Sequence, residues 1–335
     1  MLASGVLPSI EVMAHVSPVP PQLHIDTDTP VTVLAEGVHE FTEDLVQPYD
    51  PVGWRTIDDA FASYLDEHAD VPHRWLLVQT LATSIMRRRV LAAMDVRSGW
   101  RTLDIGTGFG PVPMELAAMA AVEAIGIDID DSVLQAADAV CGDVAGRGGF
   151  MPGSRVSFVS GDAYTVDQPD ASVDLATARF VFQHLQNHAA AVSELARVVK
   201  TGGVTCLIDV DDGLSITYPE PSAAYQRLTE ALTARQEKDG GGRRVARTLP
   251  SLLDRAGFDI VAVLVVPQAN YRSSKPGDLN RTLLIDRFVA ARSDLVDGGF
   301  ISADEFDERL SHFRQEVTTR ECVVEAHLAV LGRRR

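Results

Sequence analysis

Cysteine is scarce: three residues in 335, Cys141, Cys206 and Cys322, stand far apart in the chain. Their spacing matches no metal-ligand pattern, and an odd count gives no complete disulfide framework. A reducing cytoplasm is the expected compartment. Long apolar runs are lacking too, and none approaches the length of a membrane span. The opening MLASGVLPSIEVMAH has no basic n-region, and Pro8 and Glu11 interrupt its apolar stretch, so neither export nor membrane insertion is expected. Basic residues are outnumbered, 30 Lys and Arg against 47 Asp and Glu, for a formal charge of -17. That balance repels phosphate backbones and makes nucleic acid a poor partner. The two densest basic clusters, residues 87–89 and 333–335, read as a solvated helix face and a solvated tail. There is no internal repeat.

What is present is an ordinary globular composition, 46% hydrophobic and 23% charged, in a chain long enough for a large core. Pro18, Pro20 and Pro21 mark an extended arm over the first forty or so residues, where His24, Asp26 and Asp28 read as solvated groups. Alternation at residues 31–34 gives way to helical spacing over residues 57–94, with Phe61, Tyr64 and Leu65 followed by Trp75, Leu76, Val78 and Leu81. From Trp100 short apolar strands alternate with helices: RTLDIG, EAIGID, VSFVSGD, VDLATA and VTCLIDV. That rhythm predicts βαβ units and a parallel sheet.

Beyond Asp212 the pattern predicts a helix over 222–236, a glycine turn at 240–242, a helix over 249–256 ending at Gly257, and the strand DIVAVLVV. Two further helices are expected over 279–295 and 302–316, the second opened by a Ser302-x-x-Glu305 capping box. A last strand follows over 322–331. The excursion of about fifty residues between the last two strands is long for a connection and is expected to cover a site or form an interface. Leu283, Leu284, Phe288 and Val289 give it an apolar stripe compatible with a homodimer.

The segment LDIGTGFG, residues 103–110, follows a strand and opens a helix, where glycines let the backbone approach a ligand closely. After Gly106 and Gly108 the third glycine, Gly110, is out of register for a dinucleotide fingerprint, which disfavours a NAD-dependent oxidoreductase. Asp104, Gly106, Gly108 and Gly110 instead match an acidic-x-G-x-G-x-G motif. IGID then ends a strand at Asp128, Gly161-Asp162-Ala163 follows the next, and RFVFQHLQNHAAAVSELARVVKTGGV closes the series. In this order the pieces resemble the class I S-adenosylmethionine-dependent methyltransferases, specifically the ubiquinone/menaquinone C-methyltransferase-like branch. The resemblance covers roughly residues 74–266 and the last strand, with Lys200-Thr201-Gly202-Gly203 where that branch has KPGG.

The resemblance implies a Rossmann-like α/β fold with a seven-stranded, mostly parallel sheet, an N-terminal helical cap and a helical insertion before the last strand. It implies S-adenosylmethionine as cofactor, with Gly106, Gly108 and Gly110 forming the turn and Asp128 binding the ribose. Asp162 and Ala163 would contact the adenine, Ile129 would pack on its face or take an ordinary core position, and Asp104 would hold the methionyl amino group or brace the turn. Arg179 would reach the methionyl carboxylate or form a rim salt bridge, with Gln183 on the turn after it. His184 is the candidate general base, its reference pKa near ~6.5 lying close to operating pH; a capping or cofactor-contact histidine is the other reading. Asp209, Asp211 and Asp212 are loop carboxylates without a completed ligand set, so no metal is expected.

The expected organisation is an arm and cap helices over 1–73, a cofactor-binding core over 74–213, helices and the sixth strand over 214–270, the insertion as acceptor lid or dimer interface over 271–320, and the last strand and tail over 321–335. The expected partner is a small-molecule methyl acceptor, an aromatic or indole-derived metabolite being compatible. The rival is a non-catalytic protein that keeps the cofactor turn.

Overall fold

The computed structural model describes residues 51–272, 278–316 and 321–335. The proline-rich arm and the alternation at 31–34 lie outside the described residues. Three helices come first: α1 (Val52–Glu67), α2 (Arg74–Ala82) and α3 (Ser84–Ala92). The alternating segment then forms β1 (Arg101–Ile105), α4 (Pro111–Met119), β2 (Glu123–Asp128), α5 (Asp131–Gly146), β3 (Arg155–Ser160), β4 (Val173–Arg179), α6 (His188–Val198) and β5 (Val199–Val210). β6 (Ile216–Tyr218), α7 (Ala223–Lys238), α8 (Leu249–Arg255) and β7 (Phe258–Arg272) follow, then α9 (Leu279–Asp297), α10 (Ala303–Gln315) and β8 (Glu321–Arg334).

β3, β2, β1, β4 and β5 lie side by side in parallel, as βαβ crossovers require. β8 then enters antiparallel between β5 and β7. The sheet has eight strands where seven were expected. The addition is β6, three residues pairing with the start of β8 beyond the end of β5, too short to leave a periodic signal in the sequence.

Neighbouring residues of a strand face opposite sides of a sheet. Along β5, Leu207 joins the apolar layer of Leu103, Ile105, Leu195 and Leu253, while Cys206 and Ile208 join that of Val90, Leu91, Val112 and Leu116. Helices therefore cover both faces. α1 adds Trp54, Ile57 and Phe61 against Phe109 and Val140. A fourth cluster stands apart from these: Leu228 of α7, Phe288 and Leu295 of α9, and Phe306, Leu310 and Phe313 of α10 form a cap with its own core. Phe288 of the apolar stripe is buried there and Leu284 packs against it, whereas Val289 is exposed. Ser302 caps α10 by accepting from the Glu305 amide at 3.2 Å, and the Glu305 carboxylate reaches across to Arg227 of α7.

Two readings of basic clusters are corrected. Arg87 and Arg88 are not on a solvated face: both are buried, because the carboxylate of Glu115 on α4 lies between them. Nor are residues 333–335 all tail. Arg334 ends β8, donates to the carbonyls of Ala196 and Gly257 at 2.9 Å, and stacks over Phe258.

Candidate active site

The C-terminal ends of the parallel strands carry almost every expected site residue. β1 runs into Gly106, Gly108 and Gly110, all at positive φ, at 64°, 55° and 77°. Their surroundings differ in a way that locates a cradle. A Cβ on Gly106 would meet Val181 at 2.4 Å and one on Gly110 would meet Phe158 at 2.3 Å, but one on Gly108 would meet nothing within 4 Å. Gly106 and Gly110 permit packing; Gly108 faces open space.

Asp128, at the end of β2, accepts from the Gly108 amide at 2.8 Å with Oδ2 and from the Asp130 amide at 3.2 Å with Oδ1. Asp130 in turn caps α5, accepting from the Ser132 amide at 2.8 Å, the ordinary role of a carboxylate at a helix start. Ile129 between them is 77% exposed, which removes the core reading of this side chain. Asp162 turns the chain after β3 by accepting from the Tyr164 amide at 2.8 Å, and Ala163 is buried beside it. The Tyr164 hydroxyl accepts from the amides of Gln186 and Asn187, tying this segment to the turn after β4. These features fit an adenosine: a backbone cradle, a carboxylate at its rim, an uncovered apolar side chain next to it and a second turn at the end of the neighbouring strand β3.

Asp104 is buried, since register sets it beside Thr177 of β4, whose hydroxyl donates to it at 2.6 Å. Burial raises its pKa to about 6 against the opposing pull of that hydrogen bond and of Arg179. Arg179 ends β4 with its guanidinium 4.1 Å over the Phe180 ring and hydrogen-bonded to the Thr83 hydroxyl. Phe180 itself sits at φ 60°, a strained conformation for a residue with a side chain. Among the described residues no carboxylate lies within ion-pair distance of Arg179, so the rim salt bridge is not formed. Burial, and Arg87 next, lower its pKa to about 9, which leaves it charged at neutral pH.

Gln183 is buried, and its amide is committed to the protein: Nε2 donates to the Phe180 carbonyl at 3.2 Å, and Oε1 accepts from Arg243 at 3.0 Å. His184 is exposed, yet surrounding protein and then Arg287, Arg243 and Arg235 hold its pKa down to about 4. The imidazole is neutral at pH 7 and much weaker than an efficient general base working at that pH. Asp211 is bound by Arg247 at 2.7 Å, Asp212 by two 2.9 Å bonds from Arg243, and Asp209 accepts from the amides of Val210 and Gln183.

The sequence reading missed Arg243, Arg287 and Trp75. Arg243 was visible only as a basic residue after a glycine turn. Arg287 and Trp75 lie 212 positions apart and meet where α9 packs on α2, with the guanidinium 5.9 Å from the indole centroid.

Residues 103–207 match the methyltransferase domain family, which spans β1 to β5. This part of the chain is a class I S-adenosylmethionine-dependent methyltransferase domain. Over 222 residues the chain is 31% identical to an uncharacterised 37.1 kDa protein in a Streptomyces fradiae transposon, covering 64% of this chain and 57% of that one. Over 143 residues it is 31% identical to the demethylmenaquinone methyltransferase of Staphylococcus aureus, covering 42% and 56%. The chain thus spans little more than half the length of these relatives. A solved structure from Bacillus halodurans, described as a methyltransferase, is 20% identical and covers 74% of this chain and 98% of that one, with a TM-score of 0.49. No helix among the described residues is long and apolar enough to cross a membrane.

Proposed function

We propose that the protein transfers the methyl group of S-adenosylmethionine to a small-molecule acceptor held between the C-terminal edge of the sheet and the helical cap. The observation that carries this reading is the open cradle at Gly108, with Asp128 at its rim and Ile129 uncovered beside it, inside a methyltransferase domain. The bound cofactor supplies an electrophilic methyl on a sulfonium whose leaving group is a neutral thioether.

The work left to this chain is binding, alignment and exclusion of water. Asp128 receives the ribose hydroxyls, Ile129 covers the adenine and the turn at Asp162 and Ala163 reads its edge. Gly106 and Gly110 hold the turn in shape. Arg179, charged and without an acidic partner among the described residues, takes the methionyl carboxylate; Asp104 braces the turn from beneath with its charge toward the amino group. Gln183 organises the loop after β4, and His184 serves as a neutral contact on the acceptor side. The cofactor core is residues 74–213 and the cap the insertion over 271–320.

Tyr225 and Phe288 line the space under the cap, which suits a specialised metabolite with an aromatic or indole-derived body. The three free cysteines suit a reducing compartment, the cytoplasm. Calorimetric titration with S-adenosylhomocysteine and with NAD, followed by transfer of labelled methyl into a metabolite extract, tests the reading. Binding of NAD alone would overturn the cofactor, and cofactor binding without label transfer would make the protein a scaffold.

A further inference from the structure

Under the cap, α7, α9 and β8 enclose a cavity of about 70 Å³ lined by Tyr225, Thr229, Gln236, Arg243, Arg287 and Glu325 among others. At roughly 10–15 Å³ per water this holds a charged head group with a few waters. Its floor adjoins the cofactor edge, because Gln236 donates to the Gln183 carbonyl at 2.7 Å and Arg243 to the Gln183 side chain at 3.0 Å.

The charges around the cavity are matched unequally. Arg243 is neutralised by Asp212 through two 2.9 Å bonds. Glu325 brings one carboxylate to the lining and is itself engaged. Arg287 has neither a hydrogen bond nor an ion pair among the described residues; its contact is the face of Trp75.

Several arginines of the cap pair with acids, Arg227 with Glu305, Arg235 with Asp294 and Arg292 with Asp307, although the buried Nε of Arg309 has no partner either. Even Asp286, the residue before Arg287, pairs with Arg74 of α2. Glu325 in the cavity wall and Asp212 beyond it act on the Arg287 charge, but among the described residues neither forms an ion pair or hydrogen bond with it, so its N–H donors are left for something outside the chain. Burial lowers the Arg287 pKa to about 10, so the guanidinium is charged at neutral pH. A planar guanidinium suits a carboxylate, which it can bind in a fork-to-fork arrangement.

We infer that the methyl acceptor is an organic anion, and that Arg287 receives its carboxylate in the cavity beneath the cap. The inference rests on the methyltransferase reading, since it names the substrate class of that site.

The test is calorimetric titration with indole-3-carboxylate and with its neutral amide, each with and without saturating S-adenosylhomocysteine. The carboxylate should bind at least about tenfold tighter than the amide, the scale of one charge-assisted contact. Arg287→Gln should abolish that preference and Arg287→Lys should retain part of it, while all three proteins keep the same affinity for S-adenosylhomocysteine, which shows that they are folded. Equal binding of the two probes, binding of neither, or a preference that survives in Arg287→Gln would overturn the inference. Failure of the wild type to bind S-adenosylhomocysteine, with the carboxylate preference intact, would overturn the methyltransferase reading and leave the anion site standing.

Discussion

Arg87 meets Glu115 edge to edge, Nε and Nη2 donating at 2.6 and 2.8 Å, and neither side chain reaches solvent. Arg88 donates to the same carboxylate at 2.7 Å and also grips Asp58 of α1, so one acid on α4 joins α3 to the sheet layer. Such a cluster is favourable only while complete, because removing its centre strands the buried Arg87 without an acid and leaves Arg88 with Asp58 alone. Glu115→Ala should destabilise the fold by about 3–5 kcal/mol in urea denaturation. A loss below about 1 kcal/mol would mean that water reaches the arginines.

The glycines of the turn should separate by phenotype. Gly108→Ala introduces strain of about 1–2 kcal/mol at positive φ but no clash, so it should chiefly weaken S-adenosylhomocysteine binding. Gly106→Ala drives a Cβ into Val181 and should lower the melting temperature well before affinity is considered. The reverse order would place the cradle at Gly106.

Asp128→Ala should weaken S-adenosylhomocysteine by about ten- to a hundredfold, the scale of one or two hydrogen bonds to a charged acceptor. Asp128→Asn, which can still accept from the Gly108 amide, should lie between. Unchanged calorimetric affinity in the alanine variant would remove Asp128 from the ribose site.

Two opposed groups shape the pH dependence. Burial raises Asp209 to about 7, so the folded state holds a proton that the unfolded carboxyl releases near ~4, and this contribution to stability is lost as pH rises from about 4 to about 7. His327, its ring tilted against Phe180, is lowered to about 3 by burial and then by Arg179 and Arg243; its contribution is present above about 6.5 and is lost as pH falls toward 3. Asp209→Asn removes only the first. Relative to wild type the variant should therefore gain up to a few kcal/mol between pH 4.5 and pH 7.5, at ~1.4 kcal/mol for each tenfold difference in proton affinity between the folded and unfolded carboxyl. A difference that does not change with pH would show that Asp209 titrates normally.

Methyl transfer should withstand EDTA. Asp211 and Asp212, the carboxylates best placed to attract a divalent ion, are occupied by Arg247 and Arg243. Activity abolished by the chelator and restored by magnesium would mean that those arginines yield to a metal.

The glycine turn and the strand ends around it were legible because their signals are local. The turn at Gly106 to Gly110 and the acid Asp128 each stand where the alternating pattern marks the end of a strand, and the parallel pairing of β1 and β2 then brings Asp128 to the Gly108 amide across 20 positions. Arg87 and Arg88 were misread because helical periodicity treats any charge as a solvent face, whereas burial was decided by Glu115, 27 and 28 positions away. The stripe at Leu284 and Phe288 was rightly apolar, but whether it packed within the chain or against a second copy depended on where α7 and α10 came to lie. Arg287 could not be read at all, since what distinguishes it is a guanidinium that packs on Trp75, 212 positions away, without a hydrogen bond or ion pair among the described residues.

β8 fills a gap between two strands already laid down, and the helices of the cap are synthesised before it. During translation β7 has no partner across the sheet until the cap has been made, and it exposes the apolar side chains Val261, Val263 and Val265 even in the finished fold. Pairing over so long an excursion is slow, and unpaired strand edges are where nascent chains associate with one another. Yield in an expression host should thus depend more on synthesis speed through the cap than on the stability of the finished protein, and slowing codons between α9 and α10 should send more of the chain into inclusion bodies.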